Sequence, residues 1–296
     1  MLTNGIQIIL NGLITGATYA VIAVGFSLVY KVYKFFFVAH GAIVAAGAFT
    51  FYSFYQLLRW NPTVAILGAL FVSVTLSSII EVGVHRPLRK RKATSLLLFL
   101  ASSTVFILIQ NILLFFFGPS VRAYKFELQT GMTVAGAIIT PTQLLIISSS
   151  VLTFVVLHLV LNKTKIGKSM RAVSDDSLGA SVVGIDPERT YLLTVNLSAV
   201  LACIAGILIS LEQDLRFDIG LYAMLAGIVA SVIGGVGNVT ASIIGGLMVG
   251  IIENISVWFV PTGYKRVITF VILIAFLLIR PQGLLGHSIK EDYVKE

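Results

Sequence analysis

The stretch MLTNGIQIILNGLITGATYAVIAVGFSLVY, residues 1–30, carries no charged side chain. About 20 residues of helix cross a bilayer's hydrocarbon core of about 30 Å, so this run is long enough to span it, over about residues 5–30. It has no basic leading region, and its apolar part is too long for a signal-peptide core. It therefore reads as a retained first helix. The pattern continues beyond it, because Lys31, Lys34 and Arg59 are the only charged residues between that stretch and Glu81. Further apolar runs fall at about 35–54, 62–85, 96–117, 143–161, 190–211, 221–235, 239–257 and 266–280. The expectation is an all-α, polytopic membrane protein forming a single domain over residues 1–296, with about 8–9 transmembrane helices. Two of these could be short or re-entrant: the seventh, and the second, which begins KFFFVAHG (34–41).

Composition agrees with that solvent. The chain is 57% hydrophobic and 11% charged, with a mean hydropathy of +0.97, whereas about a quarter of the residues of a soluble domain are charged. The net charge of +8 would suggest nucleic acid in a soluble protein. Here the bases sit in short loops between apolar runs, where they orient a protein in its membrane, so lipid is the expected partner and nucleic acid is not. With HRPLRKRK (85–92) on the cytoplasmic side, residues 163–190 and the carboxyl terminus follow it there, and the amino terminus, 118–142 and EQDLRFD (212–218) face outward. Six bases then lie outside (Arg59, Arg122, Lys125, Arg216, Lys265, Arg266), leaving fifteen of the twenty-one inside. The one cysteine, Cys203, excludes an internal disulfide and a cysteine metal cluster.

Catalytic motifs are missing. There is no GxxxxGK[ST], so the chain cannot cradle ATP phosphates in the P-loop manner. GGVGNVTA (234–241) has Thr240 where a dinucleotide fingerprint needs its third glycine, and no βαβ unit surrounds it. Its glycines, like Gly12/Gly16 and Gly246/Gly250 at GxxxG spacing, read as sites of close helix packing. Glycine-rich stretches recur in both halves (AHGAIVAAGAF, IGGVGNVTASIIGG), but no register relates them. The four histidines have no metal-ligand spacing, and no Ser, His and Asp set assembles into a hydrolase. Asn11, Thr15 and Thr18, at i, i+4 and i+7, form one polar stripe on the first helix, and Gln110 and Asn111 mark the fourth. Each either lines an aqueous path or hydrogen-bonds neighbouring helices. His40, in or beside a span, is either functional or a neutral ring bonded to a neighbouring carbonyl. Asn11, Thr15, His40 and Gln110 are the candidate path residues. Glu81 and Glu253 sit near span ends, and Glu81 has Arg86 close by as a partner.

One soluble island interrupts the pattern: KTKIGKSMRAVSDDSLGASVVGIDPERT, residues 163–190, with four acids and five bases. Ser174, followed by Asp175 and Asp176, reads as a helix start, and Gly184, with Pro187 three residues on, as its stop. The helix between would have about nine residues, too few to be stable alone in water. Leu178 and Val182 share one face, so the helix docks on something: a partner, its own protein or lipid headgroups.

The order GLITGATYAVIAVGFSLVY, AHG, EVGVHRPLR, KIGKSMRAVSDDSLGASVVGID, GGVGNVTASIIGGLMVGIIEN and RPQGLLG (280–286) resembles the permeases of branched-chain amino-acid ABC importers, the LivH type, over nearly the whole chain. The resemblance implies a non-enzymatic translocation subunit of the bacterial inner membrane. It would pair with a related permease, receive substrate from an extracytoplasmic binding protein, and be driven by two ATP-binding subunits that carry ATP and magnesium. Residues 163–190 would be the cytoplasmic coupling loop, in which Asp176, Gly179, Gly184 and Ile185 match the family's pattern. The chain departs from the family at Phe37, Val38 and Ala42, where NFAHG followed by an acid is usual, and near Tyr222, where a lysine or other polar residue is common. Neutral or branched-chain amino acids are the expected substrates, with urea or short amides as the alternative. A stand-alone proton-coupled carrier, which would need Glu253 or His40 at membrane depth, and a membrane scaffold are the competing classes.

Overall fold

The computed structural model describes residues 2–124, 131–134, 137–280 and 283–285. Lys125, Pro281, Gln282, Gly286 and the carboxyl-terminal segment whose side was expected to be cytoplasmic lie outside the described residues. The elements are α1 Leu2–Tyr33, α2 Ala39–Tyr52, α3 Pro62–Ile80, α4 Arg86–Lys90, α5 Ser95–Phe117, strands β1 Met132–Val134 and β2 Ala137–Ile139, α6 Pro141–Lys163, α7 Lys165–Asp175, α8 Ser177–Val182, α9 Pro187–Glu212, α10 Ile219–Gly234, α11 Val239–Ser256 and α12 Lys265–Ile279. Two π-helical turns extend helices: Ser53–Leu57 continues α2, and Glu81–His85 joins α3 to α4.

Among the described residues, six helical stretches are long and apolar enough to cross a membrane. Three shorter apolar helices (α2, α10 and α12) join them. The protein is therefore an all-α polytopic membrane protein, and the apolar runs of the sequence fall on these helices. The second run is short: α2 covers 14 residues. It is a helix with every residue but Thr50 buried, reached from α1 through an elbow at residues 34–38, where Lys34 takes a positive φ of 58°. The loop between α5 and α6 also holds an antiparallel ribbon, β1 against β2, with Val134 opposite Ala137.

Sequence chemistry sets the helix starts. Asn61, Thr140 and Asp186 each accept a backbone N–H at the first turn, each followed by proline at the first or second helical position, where its missing N–H costs nothing. Thr140 and Gln143 form a reciprocal capping box. In lipid, helices gain little from burying apolar surface and associate instead through close packing and hydrogen bonds. Accordingly α1 and α9 are mostly buried, whereas α3, α5 and α6 expose apolar side chains such as Phe71, Leu152 and Phe115 around the outside. Buried Ala65, Ala69, Ser73 and Ser77, one turn apart on α3, form a small-residue face against its neighbours α2 and α9.

The two GxxxG pairs meet each other. A Cβ on Gly12 or Gly16 of α1 would lie 2.8 Å from the Cα of Ile251 or Leu247 of α11, and one on Gly246 or Gly250 would collide with the backbone of Ala20 or Gly16. Similar contacts place Gly47 of α2 against Cys203 of α9, and Gly41 against Gly220 of α10.

The chain has two distinct ends. At one, Gln7 bonds Ile138 through both its side-chain nitrogen and oxygen, Arg122 pairs with Leu215 backbone to backbone, and Tyr124 bonds Ser210. At the other, Ser27 accepts from Gly237 N–H, Arg89 joins Glu188, and Leu284 N–H donates to Ile233. Residues 85–92 and 163–190 thus share one end, and 122–124 and 212–218 the other.

Gly250→Val should separate α1 from α11 and cost roughly 1–3 kcal/mol or more by overpacking. Its thermal unfolding in detergent should occur at a clearly lower temperature than that of Gly83→Ala, a control whose added carbon meets nothing within 4 Å.

Candidate functional site

The island folds as two helices. Thr164 caps α7 by accepting from Gly167 N–H, and Gly167, Met170, Val173 and Ser174 form its buried face. Ser174 is therefore not a helix start. It lies in the last turn of α7, where its hydroxyl donates to the Arg171 carbonyl, because Thr164 offers an earlier cap and an apolar face follows it. The cap for the next helix is Asp176, whose carboxylate accepts from Leu178 N–H at 2.9 Å. That helix, α8, has only six residues.

Its other end is closed by two bonds, Gly184 N–H to the Ser181 carbonyl and Ile185 N–H to the Ala180 carbonyl, with Gly184 at φ +84°. This is a Schellman stop, which needs a left-handed residue that glycine adopts without strain. Ala180 is buried and Ile185 packs on the same hydrophobic core. A Cβ on Gly179 would come 2.6 Å from Asp176 Oδ2. The four residues matched to the family's loop thus shape α8: Asp176 begins it, Gly179 leaves room for that cap, and Gly184 and Ile185 end and anchor it. What α8 presents to its surroundings is Leu178, 78% exposed, Val182, 85%, and Val183, 74%. Val183 was missed in sequence because it lies past the helical repeat.

A polar cavity of about 720 Å³ opens at the opposite end. Asn11, Thr15 and Tyr19 of α1 form one wall, with Glu212 of α9, Glu253 and Asn254 of α11, and Lys265 and Thr269 of α12 across from them. Glu253 is buried and accepts from the Tyr19 and Thr269 hydroxyls, each at 3.3 Å. Thr18 instead faces the core, where its hydroxyl returns to the Thr15 carbonyl. A second cavity, of about 920 Å³, lies at the basic end beside Lys31, Lys34, His158, Arg171 and Asp175. On α1 the outer cavity reaches Tyr19 and the inner one begins at Leu28, roughly 14 Å apart along a helix. Ala23, Val229, Ala230, Ile233 and Val249 pack the space between.

His40 and Gln110 line neither cavity. His40 is fully buried, with its Nδ1 2.9 Å from Ser198 Oγ. Because that hydroxyl donates to the Gly25 carbonyl, it must accept from the ring, which assigns the proton to Nδ1. Gly25 provides the room, since a Cβ there would come 2.7 Å from the imidazole. His40 thus ties α1, α2 and α9 together. Gln110 is half-buried on peripheral α5, outside the buried row Leu98, Ser102, Phe106, Ile109 and Leu113, and Asn111 bonds its own helix at Ile107.

Glu81 is buried, and its charged partner is Arg89 at 2.6 Å rather than Arg86. The π turn at 81–85 rephases the helix, and Arg86 goes to Glu188 at 3.2 Å. Arg89 reaches Glu188 as well, at 2.9 Å. Tyr124, outside the spans, has its hydroxyl pKa pushed above the ordinary tyrosine value by burial, so it stays protonated against Ser210. Among the described residues no group of three His, Cys, Asp or Glu side chains could hold a metal ion.

The family described as branched-chain amino acid transport system, permease component, matches residues 8–277. The high-affinity branched-chain amino acid transport system permease protein LivH of Escherichia coli strain K12 is 30% identical over 95% of this chain and 96% of its own. The corresponding permease BraD of Pseudomonas aeruginosa is 28% identical over 95% of this chain and 96% of its own. Among solved structures, PsaBC from Streptococcus pneumoniae in complex with Fab aligns with a TM-score of 0.52 over 94% of this chain and 95% of that one; at 14% identity the likeness concerns the fold alone.

Asp176→Ala should loosen α8 by about 1 kcal/mol, the usual worth of a helix cap. Hydrogen exchange should then show the amides of 178–182 exchanging about fivefold faster, with α9 unchanged.

Proposed function

The chain belongs to the permease family of branched-chain amino acid transport systems, and on that premise we propose that it is the translocation subunit of an ATP-driven importer for neutral or branched-chain amino acids, coupled to its ATPases through residues 163–190. The observation that carries this reading is α8, a helix capped at both ends and holding Leu178, Val182 and Val183 out from the basic end of an otherwise membrane-embedded chain. Apolar side chains held out on a polar segment mark a contact surface, and a short rigid helix suits a groove on a soluble subunit.

In this reading the basic end faces the cytoplasm, in line with the positive-inside rule, and ATP with its magnesium is bound and hydrolysed on two partner subunits. A related permease completes the pathway, and an extracytoplasmic binding protein delivers substrate to the outer cavity. Asn11 and Thr15 belong to the path and Glu253 joins them, while His40 and Gln110 drop out of it. The cavity sets the carboxylates of Glu212, Asp214, Asp218 and Glu253 beside two cations, Lys265 and the Asp218-paired Arg216. Opposite charges suit the zwitterion of a free amino acid better than uncharged urea, and the apolar wall of Ile219, Ala223, Val229 and Phe270 suits an aliphatic side chain.

Burying Leu178 on a partner is worth roughly 1.5–3 kcal/mol, so Leu178→Ala should weaken ATPase association by roughly 10-fold to 150-fold, and Leu178→Asp with Val182→Asp should abolish it. Co-purification with the ATPase subunits, and L-leucine uptake into proteoliposomes holding the whole complex with its binding protein, check this. Undiminished ATPase recovery in the double variant would remove α8 from the coupling role.

A further inference from the structure

The motif EVGVHRPLR (81–89) lines neither cavity and lies outside α8, yet its Glu81, Arg86 and Arg89 form three ion pairs with one another and with Glu188. We propose that Arg89 is the positioning residue through which a displacement of α8 reaches the membrane helices. The inference rests on α8 being the ATPase contact. Within the chain, the main neighbours of α8 are α7 and α9, and the first turn of α9 carries Glu188, six residues beyond Val182. A single nitrogen of Arg89 donates both to Glu188 Oε2 at 2.9 Å and to Glu81 Oε1 at 2.6 Å. Its guanidinium carbon lies 4.2 Å from the Tyr191 ring centroid of α9 and 5.2 Å from that of Tyr33 in the last turn of α1.

Beyond Arg89 the contacts continue into the core. His85, on the same π turn as Glu81, packs against Phe35 at 5.6 Å and Phe37 at 5.3 Å, two of the three aromatics of the elbow that feeds buried α2. One planar cation is thus shared between the segment leaving α8, the end of α3 and the end of α1. Glu81 is held in the interior, whereas Glu188 is 31% exposed at its side chain and has Arg86 as a second cation. A shift of the first turn of α9 must either carry Arg89, and with it the elbow, or break the bond to Glu188. Lysine could keep the charge beside Glu81 but, lacking the flat guanidinium, could not stack between the Tyr191 and Tyr33 rings while it holds the carboxylates.

The test uses the complex with its ATPase subunits and partner permease in proteoliposomes, with a single cysteine placed by Asn11→Cys in a Cys203→Ala background. The readout is the change in labelling of that cysteine by an impermeant maleimide when ATP is added, beside the rate of ATP hydrolysis; neither needs a known substrate. Glu188→Gln and Arg89→Lys should assemble and hydrolyse ATP, while the ATP-dependent change in labelling shrinks by roughly 2-fold to 30-fold. Arg189→Gln, which removes a neighbouring surface pair with Asp186, should respond as the parent does. An unchanged response in Glu188→Gln and Arg89→Lys, or an equal loss in Arg189→Gln, overturns the role of Arg89. A parent complex that hydrolyses no ATP overturns the importer reading together with it.

Discussion

The glycine-lined seam between α1 and α11 is the contact on which the rest of the structure depends. In lipid, apolar burial gives little net drive for two helices to associate, so how closely their backbones approach decides which helices pair. Gly12 and Gly16 on one side, and Gly246 and Gly250 on the other, bring backbone against backbone over two turns of each helix. That contact fixes α1 at the centre of the bundle and leaves its other faces to α9, α10 and α6. The outer cavity lies beside this seam, walled by Asn11, Thr15 and Tyr19 of α1 and Glu253 of α11, and the interior closes further along α1, at Ala23.

The charged residues are distributed on a second principle. Removing a carboxylate and a guanidinium from water costs several kcal/mol each, so a buried pair is weak evidence of stabilisation by itself. Glu81, Glu188, Arg86 and Arg89 form a neutral set of two acids and two bases, with aromatic rings taking the faces of the Arg89 guanidinium. Such a set offsets much of that cost, and its partners are specific in geometry. It sits where α1, α3 and α9 converge beside the island, so it fixes how those helices meet more than how stable each one is.

Much of the architecture was legible in the sequence, and the failures have physical causes. Long uncharged runs pointed to the helices, and the GxxxG spacing of Gly12/Gly16 and Gly246/Gly250 to close packing, but which helices those glycines bring together depends on contacts distant in sequence. Gly184 was read correctly as the stop of α8. Ser174 misled because a hydroxyl followed by two acids resembles a cap, while Thr164, ten residues earlier, actually has the free N–H groups in front of it. Glu81 was paired with Arg86 on sequence distance, but a π turn changes which residues share a face, and no periodicity rule anticipates it. His40 and Gln110 were chosen as polar residues in apolar helices. Whether such a residue meets a cavity or another helix depends on neighbours distant in sequence: Gly25 and Ser198 for His40, and the buried row of α5 for Gln110. The ribbon Met132–Ile139 escaped notice because its strands are three residues each.

The brevity of α8 follows from the same economy of contacts. Six residues cannot hold a helix in water, where nucleation is unfavourable and helices under about 12 residues are marginal. Asp176 at one end and Gly184 with Ile185 at the other satisfy the loose backbone groups, and buried Ala180 pins the middle. With order supplied by the chain itself, a partner binding Leu178 and Val182 need not supply it, and the entropic cost of docking falls accordingly. A longer island could have been stable without caps, but its ends would have been free to move relative to α9. A short helix clamped at both ends and followed directly by Asp186 and Pro187 leaves few soft residues between the exposed apolar face and the first membrane-embedded turn, so displacement at one is felt at the other.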